Sequence, residues 1–302
     1  MGTEWEPSVR ISAMLDKALV KSEMMELNTA RELIEEATKL AKSEGIYTDQ
    51  IQGRIRSRNA FLDFWDQNYD GALSKLNKLL ADDISKADTE QLHLKIAALS
   101  TRKDNLQEPM SLCFAALFRE TSAGHHHEAL GFRIALARIL REQGNIVPAE
   151  HVMETVQDDI FKYGCSERTY LSFLREGGRN LLDQGKAIRA YLAYLRPCLF
   201  RARDRKFGRF VETTSSLVQE TMAGIKTARA KHSEEEWNSC IDQCVMDERK
   251  QQKNSRRKIQ AIANLDPLFG YYSEDIESEI ESFRKEGAIN AEIETISKLL
   301  IQ

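Results

Sequence analysis

Three consecutive histidines, His125, His126 and His127, form the most conspicuous chemical cluster in the chain. Adjacent residues fix no coordination geometry, however, and structural zinc draws its ligands from two separated elements. No Cys or carboxylate stands nearby at a matching spacing, so the run reads as a solvated loop and no metal is expected. Arg119 and His125 are close enough in sequence for a guanidinium and an imidazole to converge on one phosphate, but a helix end followed by a loop does not guarantee that convergence. Cys240 and Cys244 stand one helical turn apart, with His232 two turns earlier. A fourth ligand is missing, and Trp237, Ile241 and Val245 make a buried helix face the expectation. On that face both thiols would behave as small hydrophobes.

Two basic segments remain. Arg196, Arg201, Arg203, Arg205, Lys206 and Arg209 crowd a short stretch, interleaved with Phe200, Phe207 and Phe210. Arg249, Lys250, Lys253, Arg256, Arg257 and Lys258 make the second. Cations with aromatics can hold phosphate and stacked bases. The acidic balance of the rest points instead to an acidic protein surface, or to the chain's own acidic segment between Asp266 and Glu294. The first segment is therefore expected to be an exposed connection that binds a partner, with nucleic acid as the alternative ligand. No Gly-rich phosphate loop, G-x-S-x-G or H-E-x-x-H occurs, and no enzyme, cofactor or metal site is expected.

The elements that would carry these residues are helices. The stretch Leu130–Val156 reads as an apolar helix, a polar elbow at Glu142–Asn145 and a second apolar helix. Leu136, Ile139 and Leu140 share one face, and Ala149, Val152, Met153 and Val156 share another. Gly144 stands where a left-handed cap needs no Cβ, and Pro148 stands near a helix start. Similar pairs are expected from 7 to 43, over Ile51–Asp66 with Asp70–Leu80, over Thr89–Thr101 with Gln107–Glu120, and over Glu167–Leu182 with Lys186–Arg196. Thr121–His127 reads as a break. Beyond Pro197, Phe210–Lys226 and Ser233–Arg249 read as longer helices, and Asp266–Pro267 reads as a helix end.

These spacings resemble the tetratricopeptide repeat. With Gly144 as the elbow glycine, Leu136, Ala137, Leu140, Ala149, Met153 and Val156 match its packing positions, while Arg133 departs from them. Leu174, Gly178, Leu181, Ala190 and Tyr194 repeat the pattern around Gly185. Ala72, Leu76 and Leu79 do so after Asn68–Tyr69, Ala30, Ile34 and Ala37 form another set, and Ser111, Ala115 and Phe118 a weaker one. The small anchors at 30, 72, 111, 149 and 190 lie 38 to 42 positions apart, beyond the roughly 34 of an ordinary array. The resemblance implies an all-α, right-handed α-solenoid with a helical C-terminal cap, divided into repeats over 1–197 and an extension over 198–302. The implied function is a non-catalytic scaffold or regulatory subunit. The Arg119–His125 spacing also resembles that of some helical ribonucleases, on those two residues alone. Ile139–Gln157, Tyr163–Gly164 and Phe173–Leu182 resemble the repeat preceding the PCI module of proteasome-lid and signalosome subunits. On that resemblance Glu286–Ile293 would imitate one winged-helix strand, and the second strand is absent.

Composition sets the outer bounds. In 302 residues the hydrophobic share is 42% and the charged share 30%, with 5 Pro and 15 Gly, which favours long helices around a substantial core. The net charge of −4 gives no global attraction to nucleic acid or membrane. The cysteines, 5 in number and scattered, fit reduced thiols, and a cytoplasmic or nuclear location is expected. No apolar run approaches the roughly 18 residues of a membrane span, and the opening MGTEWEPSVR has no signal core.

Overall fold

The computed structural model describes residues 6–80, 88–262, 276–285 and 287–301. These form helices joined by turns, with no strand among the described residues. Two compact units emerge, one of Met1–Gln143 with Phe207–Arg209 and the other of Gly144–Lys206 with Phe210–Gln302. The division falls in the Gly144 elbow, so the two helices of the Leu130–Val156 stretch belong to different units. Asp266–Pro267 lies outside the described residues.

The first unit is built from α1 (Pro7–Glu23), α2 (Leu27–Ser43), α3 (Asp49–Trp65), α4 (Tyr69–Leu79), α5 (Thr89–Leu99), α6 (Gln107–Ser122) and α7 (His126–Glu142). Short polar side chains start several of them. Thr48 Oγ1 accepts from the Ile51 amide at 3.4 Å, Asn68 Oδ1 from Gly71 at 3.1 Å and Asp88 Oδ1 from Gln91 at 3.0 Å. Helix ends close by a left-handed residue and paired backbone bonds. After α1, the Met25 amide donates to Ser22 at 3.1 Å and the Glu26 amide to Lys21 at 2.9 Å, with Met25 at φ 64°. Gln67 and Gly124 close α3 and α6 in the same manner. Within this unit α1, α3 and α5 each pack on the next odd-numbered helix, and each of α1 to α6 packs on its successor. Fully buried alanines let the backbones approach: Ala30 and Ala37 on α2, Ala60 on α3, Ala72 on α4, Ala98 on α5 and Ala116 on α6.

Two expectations change here. The break at Thr121–His127 shrinks to Ala123–His125, because His126 and His127 already belong to α7. On α6 the buried face is Pro109, Cys113, Ala116 and Glu120, whereas Ser111, Ala115 and Phe118 are exposed. Both stripes of this helix are apolar or small, so periodicity alone could not choose between them.

The second unit contains α8 (Ile146–Tyr163), α9 (Glu167–Asp183), α10 (Ala187–Ala190), a π-helical turn (Tyr191–Leu195), α11 (Arg196–Asp204), α12 (Gly208–Lys231, largely in this unit), α13 (Glu234–Ile262), α14 (Ile276–Ser282) and α15 (Ala288–Ile301). Ala149 and Ala190 are buried, as the repeat pattern predicts. On α9 a Cβ at Gly177 would come within 2.5 Å of the Tyr194 ring, and one at Gly178 within 2.4 Å of Leu195. That close approach explains why positions 177 and 178 hold glycine. The stretch from 187 to 204 is helical throughout and Pro197 does not end it. Proline has no N–H for the carbonyl four residues back, and the wide turn just before it absorbs the mismatch. Arg196–Arg209 is therefore mostly helix rather than connection. The 286–293 segment forms no strand where it is described, since α15 begins at Ala288. Trp237 Nε1 donates to the Phe283 carbonyl at 2.9 Å, tying α13 to the turn after α14. Among the described residues no helix is long and apolar enough to cross a membrane.

Candidate functional site

α11 carries the first basic segment, and its cations have different fates. Arg201 is 3% exposed. Its guanidinium clasps Glu167, with Nη2 donating to Oε2 at 2.8 Å and Nε to Oε1, and it lies 5.1 Å from the Tyr170 ring centre. The expectation that it is exposed is thus corrected: α9 supplies a carboxylate and an aromatic face that make its burial tolerable. Arg196 is half-buried between Glu279 of α14 at 3.1 Å and Glu292 of α15 at 3.2 Å. Its counterpart is the chain's own acidic C-terminal segment. Burial disfavours the Arg196 charge, but Glu292 and Glu279 outweigh it and hold the guanidinium pKa above its ordinary value. The Tyr191 hydroxyl donates to the same Glu292.

Past this anchored stretch the helix opens to solvent. Arg205 and Lys206 are exposed, while Arg203 and Arg209 are half-buried. Lys206 takes the left-handed conformation, φ 60°, that ends the helix, and its amide donates to Arg203 at 3.0 Å. Cations in the last turn also oppose the negative end of the helix dipole. The side chains of the second basic segment from residue 250 onward lie outside the described residues. Arg249 is exposed and pairs with Glu277 at 2.8 Å.

Sequence reasoning missed the charge that joins Arg119 to His125. Glu120 is 3% exposed at the inner face of α6. Its Oε1 accepts from Thr89 Oγ1 at 2.9 Å and from Arg119 Nε at 3.0 Å, and its Oε2 lies 2.9 Å from His125 Nδ1. Burial penalises this carboxylate, yet the hydrogen bonds from Arg119, His125 and Thr89 prevail and hold its pKa below the ordinary value. The structure brings Arg119 and His125 together as clamps on a buried acid that fasten α5, α6 and the start of α7. The signal was available, since a Glu four residues beyond Ala116 falls on the inner stripe.

The cysteine pair also differs from expectation. Trp237, Ile241, Val245 and Glu248 form the buried stripe of α13, and Cys240 lies outside it, exposed. Cys244 is half-buried, and burial with nearby Asp247 and Cys240 raises its pKa. Glu248 meets Arg189 at 3.2 Å as a buried pair. Among the described residues no three His, Cys, Asp or Glu side chains are grouped to hold a metal ion. No protein-family model matches the chain, and no curated protein resembles it closely enough to count as a match.

Proposed function

We propose that the chain is a non-catalytic scaffold or regulatory subunit, a tetratricopeptide-like right-handed α-solenoid with a helical C-terminal cap that binds a protein partner. The observation that carries this reading is the packing order of the first unit, in which each of α1 to α6 touches its successor, the odd-numbered helices touch one another in order, and alanines are buried along the way. Stacked repeats of that kind bury a continuous core and leave extended surfaces whose usual use is protein recognition.

Within this reading the last turn of α11 and the residues that follow it, half-buried Arg203 with exposed Arg205 and Lys206, contribute to holding an acidic partner surface. Arg201 and Arg196 serve the fold instead. Nucleic-acid binding by the same segment has less to work with, because two of its cations are already matched by Glu167, Glu279 and Glu292. The test is affinity capture with mass spectrometry, wild type against R203E/R205E/K206E, followed by titration of the captured partner at rising salt. The variant should fold normally and lose the partner, and wild-type binding should weaken with salt. Retention of the partner at wild-type affinity would remove this surface from the proposal.

A further inference from the structure

α6 departs from every rule for an outer helix. From Pro109 to Phe118 it contains no charged residue, and one stripe of that stretch is buried while the other faces solvent. The exposed stripe is Ser111, Phe114, Ala115 and Phe118, spaced i, i+3, i+4 and i+7. Phe114 is 53% exposed and Phe118 is 76% exposed. A helix that is apolar on all sides belongs in an interior, and such spacing is how a helix presents anchors to another surface.

The stripe is also its own complement. An antiparallel copy related by a two-fold axis between positions 114 and 115 brings Phe118 level with Ser111 of the other chain, and Phe114 level with Ala115. Each ring thus meets a small residue, while the two Phe114 rings meet beside the axis, where an edge-to-face contact is favourable. Glu108, the nearest exposed charge, falls level with Thr121, so no like charges oppose one another. A self-associating patch must satisfy this condition, because in a two-fold dimer every charge meets the same set again.

We infer that α6 is the contact through which two copies of this chain form an antiparallel, two-fold dimer. The stripe is small against the standard interface of about 1,600 Å², so the dimer is weak, with a Kd on the order of 10–100 µM.

Sedimentation velocity across that range tests it. Wild type should pass from monomer to dimer mass as concentration rises, and F118E should stay monomeric with unchanged helicity and Tm, since position 118 touches little of its own fold. Register is tested in a C240S background. A chain carrying S111C mixed with one carrying F118C should cross-link under mild oxidation, and neither should cross-link with itself. Monomer mass at every concentration, dimerisation of F118E, or self-linking of S111C as readily as the mixture would each overturn the inference.

Discussion

α6 and α11 each bury a charge, and they treat their outer faces in opposite ways. α6 places Glu120 inside, clamped by Thr89, Arg119 and His125, and turns two phenylalanines to solvent. α11 places Arg201 inside, clamped by Glu167 and Tyr170, and turns Arg205 and Lys206 to solvent. The comparison teaches that the neighbouring helix decides which side faces inward. A charge enters where a partner waits for it, and an apolar ring stays outside where none of the described residues covers it.

Removing the α11 clamp should have the largest effect. R201A removes a buried guanidinium together with its pairing to Glu167 and its contact with the Tyr170 ring, and the loss should be about 3 kcal/mol, read by denaturant unfolding. A midpoint equal to wild type would mean that the buried pair is dispensable. The next test moves to α6 and asks which stripe is inside. A116L should overpack the interior and cost about 1–3 kcal/mol, whereas A115L, on the exposed stripe, should change stability by no more than about 0.5 kcal/mol. Equal costs at the two sites would contradict the assigned faces.

The smallest effect concerns pH. Because the folded state holds the Glu120 carboxyl below its unfolded value, that group adds stability above the unfolded carboxylate pKa of about 4.3. The contribution is lost as pH falls from there through the folded-state value. E120Q should therefore flatten the acid limb of a stability-against-pH curve. An unchanged limb would show that the clamp on Glu120 does not favour its charged form.

Helix identity and small-residue anchors were legible before the structure because they depend on neighbours in sequence. Ala30, Ala72, Ala149 and Ala190 are all buried where their spacing places them. On α6 the reading slipped, since Ser111, Ala115 and Phe118 make as good an apolar stripe as Cys113 and Ala116. On α13 Trp237, Ile241 and Val245 are buried as expected, but the two cysteines placed on that face each stand one residue off it, about 100° of rotation around a helix. The candidate site was less legible still. Arg201 finds Glu167 across 34 positions, and Arg196 finds Glu279 and Glu292 farther along the chain. No local pattern encodes such pairings. Pro197 misled for a related reason, because the rule that proline ends a helix assumes a regular turn before it.

The packing order of the first unit bears on how that unit reaches its structure. Apart from Gly208 against Met24, its main helix contacts join near neighbours in sequence, so most of them close short loops and the entropic barrier to those closures is low. A topology of low contact order folds fast. Structure can then nucleate at α1–α2, α3–α4 or α6–α7 and spread outward, so a lesion in one pair slows its own docking without barring the others from forming.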